Sequence, residues 1–428
     1  MSVPNNAIIR RLGQLAKQWD EFSSAPDLKA GIWSVVKDEF EMIEAFYEVE
    51  KTEEGKTKDI ILKFSTPYSS HAQYTKSLIQ EFNRILVESE EQLESAGLHL
   101  LDWKPIKANN YHPGVFVKNL EAFQKFLDID GNVVAYLSPE RNNNIAAWVD
   151  WLIKLSMISA EKVKIMLVQS EEHPVFESLF SKESKSFYKL IPNLHMQAAM
   201  TELAAQGNPS DPGTQFRQLY VAMMQAAGEG DLKATKSLAN RALILTRRHV
   251  MIFMEATVHL VLGGVYLTNK KAKEALSSYD TAIKVLENEK TDPKLAKQQM
   301  VMAYLSKGMA LFVNKAYDLA SSVYEKAALL AKQVENNFLA MDAWRMAGVC
   351  HAKASHSKDA KDCYGRAVKV GMQLEENDRR QTTMPSAAME LFLLETPKGR
   401  IELNELMNSA IGKDWQELAD INRHLKKE

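Results

Sequence analysis

The stretch that decides the fold is residues 262–282, LGGVYLTNKKAKEALSSYDTA. It contains a Leu-Gly pair followed by an Ala-x3-Tyr-x2-Ala pattern centred on Tyr279, with apolar positions at helical spacing. The pattern returns in 304–327 (YLSKGMALFVNKAYDLASSVYEKA) and in 344–367 (WRMAGVCHAKASHSKDAKDCYGRA). Its tyrosine recurs after 45 and then 40 residues. These matches indicate three copies of one two-helix unit.

The residue types of the repeat suggest how its two helices pack. A small residue on the first helix lets the second helix cross close to it, and an aromatic residue on the second helix fills the space between neighbouring hairpins. The small residues are Gly263, Gly308 and Gly348, and the aromatic residues are Tyr279, Tyr324 and Tyr364.

These repeats resemble the tetratricopeptide repeat (TPR), which combines the same residue types on a pair of helices. The resemblance covers roughly 215–370, about half of the chain. A weaker fourth unit at 216–243 precedes the three clear repeats, and helices near 387–394 and 401–425 are predicted to cap the stack. The resemblance implies a TPR-type α-solenoid over 206–428.

The region 57–205 has a different pattern, in which short β-rich runs alternate with amphipathic helical stretches. This alternation predicts βαβ units and a mainly parallel α/β sheet. The predicted strands are Asp59–Phe64, Leu98–Trp103, Asn132–Leu137, Val163–Gln169 and Phe187–Ile191. The predicted helices between them are Ala72–Glu94, Asn119–Phe126, Ala146–Leu155 and Val175–Phe180.

Residues 1–56 are predicted to form a separate N-terminal helical segment. Its two helices are Asn6–Phe22 and Ile32–Val49, divided by the turn-forming residues 23–27. The predicted fold class is therefore multidomain α/β plus all-α.

The composition excludes several classes of protein. The 428 residues are 46% hydrophobic and 25% charged, with a formal net charge of −2. This balance favours a globular protein and gives no general basic field for nucleic acid. The N-terminus lacks the apolar core of a signal peptide, and no stretch is long and apolar enough to insert into a membrane. We expect a cytoplasmic protein, whose oligomeric state the sequence does not predict.

The order of elements in the first half also resembles a degenerate P-loop NTPase module of the STAND kind. A phosphate loop would lie in Phe64–Ser77, which lacks both glycines of the motif, so the resemblance implies no hydrolysis. A degenerate NTPase-like module, an unrelated α/β sheet and an active hydrolase all remain open. The candidate nucleotide-binding residues are Ser70, His71, Lys76 and Ser77.

Other catalytic and metal-binding patterns are missing from the sequence. The ten histidines include no HExxH spacing, and there is no Gly-x-Ser-x-Gly elbow. The two cysteines, Cys350 and Cys363, are too few for a disulfide framework and are expected to pack as small apolar side chains. His351 is expected to be a structural histidine. We expect no catalytic residues, no cofactor and no metal.

TPR family geometry implies a groove lined by the first helix of each unit. Leu260, Gly264, Leu305 and Met309 stand where some family members place Lys or Asn to bind a terminal carboxylate, so that recognition mode is not expected. An apolar groove is expected instead, with Arg345 favouring an acidic flank on the ligand. The predicted groove residues are Leu260, Leu267, Met302, Leu305, Met309, Phe312, Arg345 and Val349.

The leading functional hypothesis is a non-enzymatic adaptor or chaperone-like scaffold that binds a peptide or amphipathic helix of a partner protein in this groove. The alternative is a nucleotide-responsive STAND-like regulator with a TPR sensor. Two further readings of the groove remain open at this point. Its residues could be ordinary core, or the N-terminal helix or the C-terminal helix 415–425 could fill it in cis. The partner and its pathway are not predicted.

Overall fold

The computed structural model describes residues 6–52, 54–95, 97–100, 103–106, 110–139, 142, 144–180 and 186–424. The chain divides into two compact units, residues 1–203 and 204–428. No helix among the described residues has the length and hydropathy needed to cross a bilayer.

The described part of the first unit contains one five-stranded sheet, ordered β2-β3-β4-β1-β5, in which every neighbouring pair is parallel. The prediction of a mainly parallel sheet is confirmed, and four of its predicted strands are found within one or two residues of their predicted ends. The strands are β1 (Ala30–Val35), β2 (Ile60–Phe64), β3 (Val133–Leu137), β4 (Val163–Ser170) and β5 (Phe187–Leu190).

Helices cover both faces of this sheet. Neighbouring strand residues point to opposite faces, so Ile32 packs in the core beneath α3, α5 and α6 while Trp33 packs beneath α1 and α2. Covering both faces explains why the strands are almost continuously apolar. The helices are α1 (Ala7–Ser23), α2 (Phe40–Glu50), α3 (His71–Glu88), α4 (Glu90–Ser95), α5 (Pro113–Leu127), α6 (Ile145–Ser156) and α7 (Met196–Ala205).

The predicted helix Ile32–Val49 is wrong in its first part. Residues 30–35 form β1, which lies between β4 and β5 and is buried along its whole length. A strand apolar on both faces has no period-2 alternation and cannot be distinguished from a helix start by periodicity alone. The helical pattern begins only at Phe40, after a short 3-10 turn. Residues 1–56 thus contribute α1, β1 and α2 to the α/β unit.

The predicted strand Leu98–Trp103 is also wrong, because its described residues form no strand. Leu101 and Asp102 lie outside the described residues. The Leu98 amide donates to the carbonyl of Leu93 at 2.9 Å, which ends α4 instead of extending a sheet. Trp103 packs edge-on against Phe82 and Phe123. The segment is therefore a loop, and Trp103 packs from it on α3 and α5.

The second unit is a TPR-type α-solenoid, as predicted. Residues 212–371 form four consecutive helical hairpins, including the weaker first unit, and shorter helices follow them. The hairpins are α8 (Pro212–Gly228) with α9 (Leu232–Arg248), α10 (Ile252–Thr268) with α11 (Ala272–Glu287), α12 (Pro293–Val313) with α13 (Tyr317–Gln333), and α14 (Asn337–Lys353) with α15 (Ser357–Gly371). The helices after them are α16 (Glu376–Gln381), α17 (Met384–Leu394), α18 (Pro397–Ala410) and α19 (Trp415–His424), and Leu425 lies outside the described residues.

The four hairpins share one turn geometry. A residue with left-handed φ follows the first helix of each hairpin: Gly230 (74°), Lys270 (59°), Lys315 (62°) and Ser355 (67°). The next amide then donates to a carbonyl five residues earlier at 2.8–2.9 Å. This bond satisfies a helix-end carbonyl that would otherwise lack a partner. The shared turn explains why a unit with a weak sequence pattern still forms the same hairpin.

The glycines of the repeat lie against its tyrosines. A Cβ atom added to Gly308 would lie 2.8 Å from Cε1 and Cζ of Tyr324, and one added to Gly348 would lie 2.7 Å from the ring of Tyr364. Both tyrosines are buried. The close helix crossing predicted from the sequence is therefore present, and no side chain larger than glycine fits without displacing the ring.

Two adjacent glycines of α10 should respond oppositely to the same substitution. A Cβ atom at Gly263 would lie within 2.7 Å of the Tyr279 ring, whereas one at Gly264 would meet nothing within 4 Å. We expect Gly263→Ala to lower the free energy of unfolding by about 1–3 kcal/mol through overpacking. We expect Gly264→Ala to raise it by up to about 1 kcal/mol, because alanine is the better helix former.

Urea unfolding of the full chain, followed by circular dichroism, measures both effects. The two variants serve as controls for each other, and shifts of the same sign would contradict the packing.

Candidate functional site

Helix α12 carries a line of exposed apolar side chains. Leu295, Met302, Met309 and Val313 are 38%, 48%, 45% and 59% exposed. Their spacings of seven, seven and four residues place them on one face of a helix with 3.6 residues per turn. The line spans about 27 Å at 1.5 Å per residue. We call these four residues the α12 stripe.

Packed residues about 100° around α12 from the stripe fix this orientation. Ala303 and Ala310 are fully buried, and Ala310 packs in one cluster with Ala275 and Tyr279 of α11. The Lys307 ammonium also forms an ion pair with Asp280 of α11 at 2.5 Å. Turning the stripe inward would expose these alanines, so the stripe is a stable surface feature.

Several predicted groove residues contribute to packing between hairpins. Leu260 and Leu267 are half-buried in the clusters that join α10, α11 and α12. Leu305 and Phe312 are half-buried against the large core of the later hairpins, and the Phe312 ring lies 5.5 Å from that of Tyr317. The structure therefore leaves Met302 and Met309, rather than all of the predicted apolar set, as the open part of the surface.

Arg345 does not present a free charge. Its side chain is 8% exposed and forms an ion pair with Asp342 at 2.8 Å. The Thr383 hydroxyl donates a further hydrogen bond to the same Asp342 oxygen at 2.9 Å. Val349 is half-buried in the core of the later hairpins. The acidic flank expected for a ligand has no support from Arg345 in this arrangement.

Leu295 and Phe338 are exposed apolar residues on first helices of the hairpins that the sequence analysis did not name. Leu295 extends the stripe into the first turn of α12, and Phe338 of α14 is 51% exposed. The sequence spacing could have indicated both residues. Leu295 lies seven residues before the predicted groove residue Met302, and Phe338 lies seven residues before Arg345. Extending the family pattern by two helical turns towards the amino end would have found them.

The four candidate phosphate-loop residues lie at the start of α3 and in its first two turns. Ser70 precedes α3 without a side-chain capping bond, and Lys76 is exposed on that helix. Nε2 of His71 lies 2.9 Å from the carbonyl oxygen of Ala147. Ser77 accepts a hydrogen bond from Gln73 on the same helix. All four candidates follow β2, which is an edge strand of the sheet.

The carboxyl end of the inner strand β1 is acidic. Glu39, which is buried, accepts hydrogen bonds from the amides of Leu194 at 2.6 Å and Val36 at 3.4 Å. Asp38 and Glu171 line the same cleft. Open parallel sheets bind ligands at this edge. Here the Glu39 carboxylate already accepts hydrogen bonds from two backbone amides, and the negative charges of Asp38 and Glu171 disfavour the binding of a phosphate group.

A cavity of about 770 Å³ lies at the opposite, amino end of the strands and is lined by lysines and carboxylates. Its most buried charge is Lys164, whose ammonium donates to the carbonyl oxygens of Ala25 and Leu28 at 2.6 and 2.5 Å. Burial, with a smaller contribution from Lys29, lowers the pKa of Lys164 to about 8. This lysine fastens the loop between α1 and β1.

The two cysteines are not poised as nucleophiles. Burial raises the pKa of Cys350 and of Cys363 to about 12, and Glu325 adds to the shift at Cys363. A nucleophilic cysteine needs a lowered pKa to form its thiolate at neutral pH.

Comparison with known proteins supplies structural likeness only. No protein-family profile matches the chain, and no curated protein matches it. The solved structures that it resembles include the apo form of RapI, with 11% identity, a TM-score of 0.40 and coverage of 54% of this chain and 68% of that one. BtubC from P. vanneervenii has 14% identity, a TM-score of 0.40 and coverage of 54% and 90%. A Podospora anserina kinesin light chain with TPR-like repeats has 10% identity, a TM-score of 0.36 and coverage of 50% and 97%.

His259 should make the repeat unit sensitive to acid. Burial lowers the pKa of His259 from 6.5, Glu255 opposes this shift and Arg247 adds to it. As pH falls below about 6.5, the His259 imidazole is therefore protonated in the unfolded chain before it is protonated in the folded chain. The free energy of unfolding decreases as a result.

We expect the midpoint of thermal unfolding to drop between about pH 7.5 and pH 5.5, and His259→Leu to reduce the drop. The matched control is His249→Leu, which removes an exposed histidine. Equal pH dependence in His259→Leu and the parent chain would contradict this assignment.

Proposed function

We propose that the chain is a non-enzymatic scaffold, an adaptor or chaperone-like protein, that binds an amphipathic helix of a partner protein along the α12 stripe. The observation that carries the proposal is the stripe itself, four exposed apolar side chains in line on a helix whose orientation is fixed by packing. Solvent-exposed apolar residues scattered singly need no explanation, but an aligned set is typical of an interaction surface.

The spacing of the stripe favours a helix over an extended peptide. Residues seven apart on α12 are separated by about 10.5 Å along its axis. Heptad positions on a second helix have the same separation, whereas same-face residues of an extended peptide recur about every 6.6 Å. Met302 and Met309 suit such a contact because their flexible side chains adapt to an irregular apolar partner.

The N-terminal helix is not free to occupy the stripe. Leu15, Trp19 and Phe22 of α1 are at most 1% exposed within the core of the α/β unit. The indole Nε1 of Trp19 also donates to Asp59 at 2.9 Å. Releasing α1 would expose this face and leave the buried Asp59 carboxylate without that donor.

The C-terminal helix is engaged in the same way. Trp415 of α19 is fully buried, and its ring packs edge-on against Phe392 at 6.1 Å. Its Nε1 donates to Asn404 at 3.2 Å. Both helices that the sequence offered as intramolecular ligands therefore cover other surfaces, which supports an external partner.

The available area suits a reversible complex. Covering about 300 Å² of apolar stripe would contribute on the order of 7 kcal/mol at 25 cal/mol per Å². Lost translational freedom and side-chain ordering offset a large part of this. Contacts from the partner's own apolar face add to the total.

A nucleotide-responsive STAND-like regulator is the competing function. The parallel sheet and its order of elements are compatible with it, but Glu39, Asp38 and Glu171 make the carboxyl end of β1 and β4 unfavourable for phosphate. We therefore prefer the scaffold.

Charge placed on the stripe should abolish partner binding. In Met302→Glu/Met309→Glu two carboxylates replace side chains that each contribute about 1.5–3 kcal/mol when buried. Photo-crosslinking from position 306, between these two residues, identifies the partner segment in lysate. Fluorescence anisotropy with that segment as a synthetic peptide should then show affinity reduced by more than about a hundredfold.

The control is Leu319→Glu/Leu329→Glu, which charges two residues of α13 that are 61% and 52% exposed outside the stripe. It should bind the peptide as the parent chain does. A peptide that binds the stripe variant with unchanged affinity would rule out this site.

Nucleotide titration separates the two functions. We expect isothermal titration of the full chain with Mg-ATP or Mg-ADP to show no saturable binding. Micromolar binding that is lost in His71→Ala or Lys76→Ala would instead support the regulator and the phosphate site predicted from the sequence.

A further inference from the structure

Three metal-ligating side chains from three successive helices meet within the repeat array. Glu325 lies on α13, His351 on α14 and Cys363 on α15. Nε2 of His351 lies 2.9 Å from Oε1 of Glu325, and Sγ of Cys363 lies 3.8 Å from the same oxygen. One ligand atom from each residue lies within 4.8 Å of the other two. Helix packing has thus assembled nitrogen, oxygen and sulfur donors that are far apart in sequence.

These separations are close to those of a tetrahedral zinc site. Zinc binds histidine nitrogen at about 2.0–2.1 Å, carboxylate oxygen at about 2.0–2.2 Å and cysteine sulfur at about 2.3 Å. Tetrahedral angles then place nitrogen and oxygen about 3.4 Å apart, and sulfur and oxygen about 3.6 Å apart. The observed 2.9 and 3.8 Å differ from these separations by about 0.5 and 0.2 Å. Small side-chain rotations would admit the ion.

The surroundings of the cluster also suit a metal. Cys363 is 4% exposed, whereas the side chains of His351 and Glu325 are 14% and 37% exposed. The sulfur is therefore shielded, while the carboxylate side is open to an entering ion and to a water ligand. An open side of this kind provides both an entry path and the fourth coordination position.

An ion pair between His351 and Glu325 does not account for the whole arrangement. Nδ1 of His351 is buried and makes no hydrogen bond within the described structure. His356 and Asp359 each place a ligand atom within 4.8 Å of a His351 ring nitrogen. Metal-binding histidines commonly donate their second N–H to a neighbouring carboxylate or water. Asp359 and His356 are thus suited to orient the ring from outside the coordination sphere.

We propose that Glu325, His351 and Cys363 bind one Zn²⁺ ion, with water as the fourth ligand. The Cys363 thiol loses its proton to solvent as the zinc–sulfur bond forms. The mixed donor set favours zinc over Mg²⁺ and Ca²⁺, which prefer oxygen ligands. The ion joins α13 of one hairpin to α14 and α15 of the next, so it stabilises the interface between two repeats.

Cobalt substitution tests the site directly. Untagged full-length chain, stripped with a chelator, is titrated with Co²⁺ and its absorption spectrum recorded. We expect one equivalent to give a thiolate-to-cobalt charge-transfer band together with the visible bands of tetrahedral Co²⁺. Cys363→Ala should lose the charge-transfer band. Cys350→Ala, the matched control, removes the other buried cysteine, which lies outside the cluster, and should retain it.

Zinc affinity and stability give a second measurement. Competition with a chromophoric chelator should show at least tenfold weaker Zn²⁺ binding in Glu325→Gln, a variant that keeps a polar side chain at a partly exposed position. Zn²⁺ should also raise the thermal midpoint of the parent chain, and a chelator should reverse the rise. The proposal is overturned by a parent chain that binds no Zn²⁺, or by binding that Cys363→Ala and Glu325→Gln leave unchanged.

Discussion

The repeat array depends on contact between a helix backbone and a tyrosine ring. At Gly308 and Gly348 the absence of a side chain lets Tyr324 and Tyr364 lie directly on the preceding helix, where a Cβ atom would come within 2.8 Å of ring atoms. Each contact sets the distance between the two helices of its hairpin, and the small buried residues around it, such as Ala310, can then pack tightly. Because neighbouring hairpins share these clusters, the geometry of one hairpin determines how the next one stacks.

The same packing explains why α12 has a surface to offer. Its small residues pack between α11 and α13. Its larger apolar side chains Met302 and Met309 therefore lie on the side that no helix covers within the described residues. A side chain buried for stability cannot also bind a partner, so under the proposed function these two roles belong to different residues of one helix. Leu305 and Phe312, which lie beside the stripe, belong to the first role.

The sequence predicted the solenoid well because its contacts are local and periodic. It failed at β1 (Ala30–Val35), where a strand buried on both faces has the same apolar run as a helix. For the site, family geometry named Met309, which is exposed, but it could not show that Leu260 is shared between hairpins or that Arg345 is paired with Asp342. Those outcomes depend on the distance between helices and on side-chain direction, which spacing along the chain does not define.

The helices of the array differ in length. Helix α12 has 21 residues, whereas α10 and α14 have 17 each. A solenoid built from identical units offers a ligand several equivalent binding sites. A ligand with a repetitive sequence can then bind in more than one register. The extra turn of α12 carries Leu295, and α10 and α14 have no corresponding turn. A ligand shifted by one hairpin would therefore lose its contact with Leu295. Under the proposed function, the unequal helices would restrict a partner helix to one binding register, a restriction that an array of uniform repeats would lack.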